Sequence, residues 1–421
     1  ASSADKDKVL ASNGGNATNK NWEVKYFENN SNITGFTGTH PCGGGSGVNT
    51  DRYITLTVKE RKQIWLNLWA DAADTQIKIV SGSNEKTVTV GDKWTEWKDY
   101  TAGAATMTIY GNVRKLDCSN NNTNITGLDA SHNAQLQELL CYSNSLTSLD
   151  LSHNTQLKVL GCFANSITSL DVSHNAQLTE LDCSENKISS LDVSKNTKLV
   201  QLHCFENSIA SLDLSRNTAL TLLYCYKNAL TSLDMSNNPE LEWIYCFENP
   251  LAEFKLRNNM RLRSLHCYDS KLTTADLDDI YCLLPDRNGQ SEGRIGILFN
   301  TSSPENAKVL ATNGKNAVAK NWTVQYYEDK SVIKGFTGNH QCTTSGLDDI
   351  KNTQDISVYP NPVEDVLNIT SDKPVHNIHI YNVYGTEVAH AADTNSINVS
   401  HLPAGVYMVR ADGKVVRVIK K

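Results

Sequence analysis

The sequence lacks the features of several large functional classes. No apolar run approaches the roughly 20 residues that a membrane-spanning helix requires. There is no basic excess, since 39 Lys and Arg stand against 46 Asp and Glu, for a formal net charge of −7. This charge argues against nucleic acid, whose phosphates bind to basic surfaces. Phosphate-binding loops, zinc-ligand spacings and nucleophile elbows are also missing. We therefore expect no membrane span, nucleic-acid partner, metal, cofactor or catalytic residue.

The length bounds the number of domains. A chain of 421 residues exceeds one ordinary globular core, and it suggests two to four domains. The chain opens Ala1-Ser2-Ser3, with neither an initiator Met nor an apolar leader. We interpret this start as a mature N-terminus left by signal cleavage, or as an artificial boundary.

Eight of the eleven cysteines recur at almost constant spacing, which is unlike the irregular spacing of a disulfide framework. Seven are 21 residues apart at each step, and the first precedes the second by 23, so the first repeat has two extra residues near 121–124. Other side chains recur in register with them, and one unit contains Leu157, Leu160, Cys162, Asn165, Ile167, Leu170, Asp171, Ser173 and Asn175. The ladder comprises Cys118, Cys141, Cys162, Cys183, Cys204, Cys225, Cys246 and Cys267.

A fixed period of this length predicts stacked coils that share one interior. We number the positions of each unit from its first leucine, so that Leu157 is position one and Cys162 is position six. Positions four and six alternate inward on a short strand, and successive units add strands to a parallel sheet. Eight strands at about 4.8 Å make this sheet on the order of 40 Å wide. No unit can bury its apolar side alone, so the repeats depend on one another for stability.

The repeat resembles the leucine-rich repeat L-x-x-L-x-L-x-x-N-x-L, with Cys in place of the third Leu. It is similar to the 21-residue, cysteine-ladder repeats of internalin-like bacterial surface proteins, over residues 113–272. The resemblance implies a curved, right-handed parallel β solenoid of eight repeats, which we place at residues 113–275. It also implies a protein that binds partners rather than one that catalyses a reaction.

Each polar position of the repeat has a predicted structural role. The ladder cysteines are expected to be buried, reduced thiols, because in-register parallel side chains suit disulfide torsion badly. A metal or redox stack is a weaker alternative, since no His or carboxylate joins the ladder. The segment Leu-Asp-x-Ser-x-Asn should turn the convex side through local side-chain bonds, with no room for a full helix. An inner ladder should satisfy turn backbone groups through Asn165, Asn186, Asn207, Asn228 and Asn249.

Residues 1–42 are duplicated at 301–342, with 22 of 38 aligned positions identical and no gap. Each copy predicts a helix, then a strand (22–27 and 322–327), then a glycine turn. An amphipathic helix near 276–285 and a strand at 294–299 precede the second copy. Residues 276–342 should therefore form an α/β cap that closes the solenoid. The sequence indicates no purpose for the first copy.

A period-two pattern follows the glycine-rich connection at 43–47, and it predicts a small β-sandwich cap over residues 43–112. The predicted strands are 53–58, 63–69, 77–80, 87–90 and 107–110. Three cysteines lie outside the ladder, and any pair of them could form a disulfide: Cys42, Cys282 and Cys342.

The last 66 residues, 356–421, follow a polar linker at 343–355 and show a second all-β pattern. Predicted strands include 366–369, 378–381 and 397–399. Three elements in order resemble the C-terminal sorting domain of type IX secretion cargo: Tyr359-Pro360-Asn361-Pro362, Leu402-Pro403-Ala404-Gly405-Val406-Tyr407-Met408-Val409 and the basic end at 414–421. The resemblance implies an Ig-like β-sandwich and export across the outer membrane of a Gram-negative bacterium, by the type IX machinery. Release or surface attachment follows, usually with removal of the domain. An ordinary Ig-like module is the alternative.

Positions three, five and seven should face the concave side of the solenoid, and many are aromatic. Acidic neighbours fringe them at Asp182, Glu185, Glu206, Glu248 and Asp269. Aromatic residues on a solvent-facing sheet indicate a binding surface for sugars or polypeptides. Alternatively, the position-seven rings pack on one another and stiffen the sheet. The candidate binding residues are Tyr142, Phe163, His203, Phe205, Tyr224, Tyr226, Trp243, Tyr245, Phe247, His266 and Tyr268.

Two further patterns suggest chemistry only weakly. His40 and Cys42 lie beside a glycine run and could form a nucleophile and base, but they recur at His340 and Cys342 without that run, which favours a structural origin. A repeated carboxylate could bind calcium, but its place in every convex turn favours capping instead. The carboxylates are Asp150, Asp171, Asp192, Asp213 and Asp234.

Together these patterns predict a secreted or surface-anchored adhesin. We expect a monomer whose concave face binds a host or bacterial surface protein or glycan, in support of attachment or biofilm formation. Two alternatives stay open at this point: a hydrolase exported by the same route, and a structural matrix protein without a specific ligand.

Overall fold

The computed structural model describes residues 47–342, 357–370, 375, 377–382, 387–411 and 414–421. The chain divides into two compact units, residues 1–340 and 341–421, and each is described by itself. The helix and strand predicted within residues 1–42, the glycine connection before residue 47 and the linker at 343–355 lie outside the described residues.

The N-terminal cap is a β-sandwich, in agreement with its alternating sequence. Every second residue of the first two strands is buried. One layer has the order β4-β3-β6-β1, and β5 pairs with β2 in the other; all these pairs are antiparallel. The pattern of residues 98–101 did not predict a strand. The strands are β1 Tyr53–Val58, β2 Gln63–Ala70, β3 Thr75–Ser81, β4 Asn84–Val90, β5 Lys98–Thr101 and β6 Thr106–Tyr110.

The cap continues into the solenoid through both of its layers. Strand β7, Val113–Asp117, pairs antiparallel with β2 and places Leu116 opposite Leu68. Strand β8, Ile125–Asp129, pairs antiparallel with β1. One hydrophobic core extends from Ile54 in the cap to Ile333 near the other end of the unit. The predicted boundary between cap and solenoid, after residue 112, therefore lies between strands that belong to the same sheets.

The repeats form three-residue strands of one parallel sheet, with partners 21 residues apart, such as Leu160 and Leu181. This is the predicted register. Two further strands of three residues, β14 and β16, pair in parallel on the return side of the coils. The strands are β9 Glu138–Leu140, β10 Val159–Gly161, β11 Glu180–Asp182, β12 Gln201–His203, β13 Leu222–Tyr224, β14 Ser232–Asp234, β15 Trp243–Tyr245, β16 Glu253–Lys255 and β17 Ser264–His266.

The ladder cysteines line the core at position six. From Cys118 to Cys267, each is at most 1% exposed and carries a free thiol. Burial raises the pKa of these thiols, to about 12 at Cys204 and Cys267. Since a buried, protonated thiol behaves as a small apolar group, the ladder contributes packing rather than redox chemistry.

The asparagine at position nine forms hydrogen bonds that connect each coil to the preceding one. The Asn165 amide donates hydrogen bonds to the carbonyl oxygens of Cys141 and Cys162, at 3.0 Å each. Its Oδ1 accepts one from the Leu146 N–H at 2.9 Å. This is the role predicted for the inner ladder, and it recurs at the same position of the neighbouring units.

Asparagine at position nineteen forms a second ladder, where only local bonds were expected. The Asn196 amide donates to the carbonyl oxygens of Val172 at 2.9 Å and Asn175 at 3.0 Å, both in the preceding repeat. Asn196 is fully buried, and the same pair of bonds recurs from Asn154 to Asn259. The expectation of local bonds was wrong because water cannot reach the buried amide N–H groups, which therefore donate to carbonyl oxygens of the preceding coil.

The return side of the coils consists mainly of turns, as the short repeat predicts. The Ser173 N–H donates to Asp171 Oδ1 at 2.9 Å, and six repeats make this bond. Hydrogen bonds from Ser173 lower the pKa of Asp171. The insertion of the first repeat contains a short 3-10 helix, Asn122–Asn124.

An α/β cap closes the C-terminal end. Its first helix and its two strands lie within two residues of their predicted bounds, and two short helices stand where the duplicated segment predicted one. Strands β18 Gly293–Leu298 and β19 Trp322–Tyr326 extend the parallel sheet, whose order is β19-β18-β17-β15-β13-β12-β11-β10-β9-β7-β2-β5. The helices are α1 Thr274–Leu283, α2 Asn306–Leu310 and α3 Lys315–Val318. Helix α1 begins with a capping box between Thr273 and Asp276. Cys282 and Cys342 are disulfide-bonded, and Cys42 lies outside the described residues.

The second unit is a two-layer β-sandwich, as its sequence predicts. Its sheets have the orders β20-β21-β24 and β23-β22-β25-β26, with antiparallel pairs throughout. Leu367, Ile380 and Val409 lie in its separate hydrophobic core. The strands are β20 Ser357–Tyr359, β21 Val366–Thr370, β22 Asn377–Asn382, β23 Glu387–Ala392, β24 Ser396–Asn398, β25 Gly405–Ala411 and β26 Lys414–Lys420.

Candidate functional site: the aromatic surface of the long sheet

The outward side of the long sheet is built from positions three, five and seven. Since positions four and six are buried, strand alternation places these three on the opposite side. The register aligns position five into a column: Asp182, His203, Tyr224, Tyr245 and His266. We keep the name concave face for this side of the sheet.

Position seven carries a column of stacked rings. Four neighbouring pairs have centroids 4.3–4.4 Å apart and planes within 11° of parallel: Tyr142–Phe163, Phe205–Tyr226, Tyr226–Phe247 and Phe247–Tyr268. Ser184 occupies this position between Phe163 and Phe205, and it divides the column into two blocks. The rings thus contact one another, as the alternative interpretation expects, and they stiffen the sheet.

Position five carries a second stack in the C-terminal half of the solenoid. Tyr224 and Tyr245 stack at 4.6 Å, and His203 meets Tyr224 edge-on at 4.8 Å. Trp243, at position three, lies on the same strand as Tyr245. All four side chains are half-buried. We call His203, Tyr224, Trp243 and Tyr245 the central aromatic cluster.

Three candidate residues are buried, although they were expected to face solvent. Phe247, His266 and Tyr268 are only 4%, 3% and 2% exposed. The ring of Tyr327, directly after β19, lies 5.2, 5.2 and 4.9 Å from theirs and helps to cover them. These three residues contact the C-terminal cap, and we no longer count them among the candidate binding residues. The remaining eight are half-buried: Tyr142, Phe163, His203, Phe205, Tyr224, Tyr226, Trp243 and Tyr245.

Burial favours the neutral form of both histidines in the position-five column. Burial, with a contribution from the Lys330 charge, lowers the pKa of His266 to about 4. Burial also lowers the pKa of His203, although the charges of Asp182 and Glu180 oppose the shift. At neutral pH the imidazole that the concave face presents, that of His203, is therefore uncharged, which suits stacking and hydrogen bonding.

An acidic fringe borders the position-seven column. Lys227 lies within this fringe and forms a salt bridge with Glu206, with Nζ 2.9 Å from Oε1. Because both side chains are over 40% exposed, the salt bridge contributes less than about 1 kcal/mol to stability. Asp182, also expected in the fringe, lies at position five instead. The fringe carboxylates share position eight, where φ is +50° to +51°: Glu185, Glu206, Glu248 and Asp269.

The same side of the sheet carries tryptophans that sequence analysis missed. On β2, Trp69 lies opposite Lys115, whose Nζ is 4.0 Å from the Trp69 ring centroid. Trp94 meets Trp69 edge-on at 6.1 Å, and Trp65 of β2 is 46% exposed. The alternation within β2 marked both strand tryptophans as outward-facing. Sequence patterns could not place them beside the first repeat, because this position depends on the non-local pairing of β2 with β7.

The weaker chemical candidates gain no further support. His40 and Cys42 lie outside the described residues. The turn carboxylates are engaged by neighbouring backbone, as at Asp192, which accepts a hydrogen bond from the Ser194 N–H at 2.8 Å. Among the residues that the structure describes, no group of three or more metal-ligating side chains comes together.

Residues 357–421 match the family model described as the secretion system C-terminal sorting domain. This match confirms the predicted sorting domain and indicates an exported protein that type IX secretion handles. In the described part of the chain, no helix combines the length and apolar character needed to cross a membrane.

Several solved structures of leucine-rich-repeat proteins are similar to this chain. The functional domain of InlJ from Listeria monocytogenes, which includes a cysteine ladder, is 25% identical over 74% of this chain and 81% of that one, with a TM-score of 0.39. An internalin, inlF, from the same organism is 21% identical over 51% and 68%, with a TM-score of 0.37. A leucine-rich-repeat protein of Leptospira interrogans is 17% identical over 37% and 54%, with a TM-score of 0.29. A search of curated proteins finds no match.

Proposed function

We propose that this protein is an adhesin that binds a protein or glycan partner through its concave face and supports attachment or biofilm formation. The observation that carries the proposal is the central aromatic cluster, whose rings are half-buried on the outward side of the sheet. Tyrosine and tryptophan are enriched in binding hot spots because they combine large apolar area with a hydrogen-bonding edge.

The surface is held in place before any partner arrives. Tyr224 and Tyr245 contact each other, and the strands beneath them are fixed by the fully buried Leu223 and Ile244. Binding to a preformed surface loses little side-chain freedom, so more of the contact energy appears as affinity. An adhesin benefits from this rigidity because the exported solenoid meets its partner without a folding step.

The charges around the central aromatic cluster restrict the chemical class of the partner. The fringe at Glu185, Glu206 and Glu248 disfavours polyanions, and it favours a neutral glycan or a polypeptide with basic side chains at the rim. The tryptophans at the N-terminal end, Trp65 and Trp69, extend the aromatic surface toward the cap. A partner longer than one repeat would contact several strands at once.

An array of glycans and bacterial and host surface proteins, probed with the full chain, tests this proposal. We expect saturable binding to a restricted set of ligands, which soluble ligand competes away. Binding to nothing on the array would contradict the proposal and favour a structural matrix protein. Turnover of a substrate panel by the same preparation, without stable binding, would favour an exported hydrolase.

A further inference from the structure

The N-terminal cap presents tryptophans on the outward side of the long sheet. Every second residue of β2 is buried in the core, so Trp65, Asn67 and Trp69 alternate with buried residues on the outward side. Trp65 is 46% exposed, and Trp97, directly before β5, is 39% exposed. Exposed apolar surface of this kind commonly marks a binding site.

The first repeat fixes the position of Trp65. The Trp65 N–H donates to Asn121 Oδ1 at 2.8 Å, and the Asn121 amide donates to the Trp65 carbonyl oxygen at 2.9 Å. Asn121 occupies position nine, whose counterparts in later repeats bind the preceding coil. In the first repeat, β2 takes the place of that coil. The backbone of Trp65 is therefore held before a ligand arrives, which lowers the entropic cost of binding.

A buried carboxylate lies beside these rings. Asp117 of β7 is opposite Asn67, and Trp65 and Trp69 are its diagonal neighbours on β2. Asp117 is only 8% exposed, and within the described chain its carboxylate accepts hydrogen bonds from Ser119 alone. Burial raises the pKa of Asp117, although the hydrogen bonds from Ser119 oppose this shift. A buried carboxyl group with so few partners gains from a ligand that donates a hydrogen bond to it.

The side chain of Asn67 offers the complementary group. Its Oδ1 accepts a hydrogen bond from the Thr95 hydroxyl at 2.8 Å, and among the described residues no acceptor pairs with its Nδ2. Since Asn67 and Asp117 lie directly opposite each other, a donor and an acceptor are adjacent on the outward side. A hydroxyl group both donates and accepts, so hydroxyl groups satisfy both side chains, whereas a cation satisfies only the carboxylate.

The charges around the rings disfavour an anionic ligand. Lys115 Nζ lies 2.8 Å from Glu138 Oε2 and 4.0 Å from the centroid of the Trp69 ring. Arg114 Nε lies 3.0 Å from Asp71 Oδ1. Both cations of β7 are thus engaged, and β2 carries none. An acidic ligand would find no free cation on these two strands, and the carboxylate of β7 would repel it.

The size of this surface favours a small ligand. From Trp65 to Trp69 it extends about 14 Å along β2, and the strands β5, β2 and β7 together span about 10 Å. The resulting area, on the order of 140 Å², is far below the roughly 800 Å² that each partner buries in a specific protein complex. A short chain of hydroxylated rings matches both the area and the hydrogen-bonding groups.

We propose that Trp65, Asn67, Trp97 and Asp117 form a binding site for short, neutral oligosaccharides, which we call the cap tryptophan site. The exposed indole rings stack on the apolar C–H face of a sugar ring, while Asn67 and Asp117 bind its hydroxyl groups. Strands β9, β10 and β11 separate this site from the central aromatic cluster. Saccharide binding at the cap is therefore independent of the function proposed for that cluster.

Calorimetric titration of the full chain tests the cap tryptophan site. The probes are neutral trisaccharides of glucose, mannose, galactose, xylose and N-acetylglucosamine, with trigalacturonate as the acidic counterpart and a lysine-containing pentapeptide as the cationic one. We expect saturable binding of at least one neutral trisaccharide, and binding of trigalacturonate and of the peptide at least about tenfold weaker. A chain that binds none of the neutral sugars, or that prefers the acidic sugar or the peptide, would overturn the proposal.

Variants separate this site from the central aromatic cluster. Trp65→Ala and Asp117→Leu should each weaken binding of the neutral trisaccharide at least about tenfold. The matched control, Tyr224→Ala with Tyr245→Ala, should leave the affinity unchanged. Full affinity in the Trp65 variant, or loss of affinity in the control alone, would place the sugar elsewhere and refute the cap site.

Oxidation of tryptophan in the unaltered chain gives a measurement that needs no variant to fold. N-bromosuccinimide oxidises accessible indole rings, and peptide mapping locates the oxidised residues. The bound trisaccharide should protect Trp65 and Trp97 and leave the oxidation of Trp243 unchanged. Protection of Trp243 instead, or no protection of any of the three, would contradict the proposal.

Discussion

The ring of Tyr245 stacks on the ring of Tyr224, with centroids 4.6 Å apart and planes inclined by 22°. The two residues are 21 positions apart and lie directly opposite each other on adjacent strands. Neighbouring strands are spaced about 4.8 Å apart, which is close to the distance at which aromatic rings stack. Any repeat position that is aromatic in consecutive units therefore becomes a continuous column of rings, and the repeat itself builds the candidate surface.

The second asparagine ladder is expected to be a main source of stability. Replacing Asn196 with Leu removes two donors from the buried carbonyl oxygens of Val172 and Asn175. Both oxygens still accept a backbone hydrogen bond, from the Asn175 and Leu178 N–H groups, so each lost side-chain bond costs about 0.5–1.5 kcal/mol, and we expect a loss of about 1–3 kcal/mol in urea unfolding of the chain. Lys195→Ala, at the exposed neighbouring position, is the control and should change stability by less than about 0.5 kcal/mol. Equal stability of the two variants would refute a stabilising role for this ladder.

The ladder thiols should be unreactive in the folded chain. All eight are buried, and their raised pKa values keep them protonated at neutral pH. Titration of the native protein with a thiol reagent should therefore detect almost none of them, whereas denatured, unreduced protein should show at least eight reactive groups. Rapid labelling of the native ladder, or disulfides among these eight cysteines, would contradict the shared interior.

His266 should make the fold sensitive to acid. Its pKa in the folded chain, about 4, is below its ordinary value of 6.5, so the folded state binds fewer protons than the unfolded state. The contribution of this pKa shift to the free energy of unfolding is fully present above pH 6.5. It is lost progressively as the pH falls toward 4, by up to about 3 kcal/mol.

Replacement of His266 with Gln isolates this effect from other titrating groups. Urea unfolding of both proteins at pH 7.5 and pH 4.5 should show a smaller loss in the variant, because glutamine does not bind a proton in this range. An identical loss in the two proteins would show that the burial of His266 does not control the acid response.

The stacked architecture could be predicted because one physical requirement repeats in every unit. Leu160 and Cys162 have counterparts 21 residues later in each coil, and burying them requires the same strand and the same turn each time. The α/β cap was predictable for a related reason, since its helix and strands carry their own apolar patterns and α1 its own capping box. The sorting domain was predictable from its ordered motifs.

The parts that escaped prediction depend on contacts between distant residues. Nothing in the spacing of β2 shows that Leu68 pairs with Leu116, so Trp65 and Trp69 were assigned to a separate cap rather than to the long sheet. Likewise, Tyr327 covers His266 only because the chain returns to the sheet after α3. Local pattern establishes which side of a strand faces out, and tertiary packing decides whether solvent reaches it.

Affinity measurements on the central aromatic cluster test the account most directly. The ligand is the strongest one found on the array, and the proteins are the full chain, the chain with Tyr224→Ala, Trp243→Ala and Tyr245→Ala, and a control with the exposed Lys187→Ala and Lys195→Ala. We predict that the triple variant binds at least about 100-fold more weakly, since hot-spot truncations cost about 2 kcal/mol or more each, while the control is unchanged. A folded triple variant, with protected ladder thiols and unaltered affinity, would contradict the proposal that the protein binds its partner through this cluster.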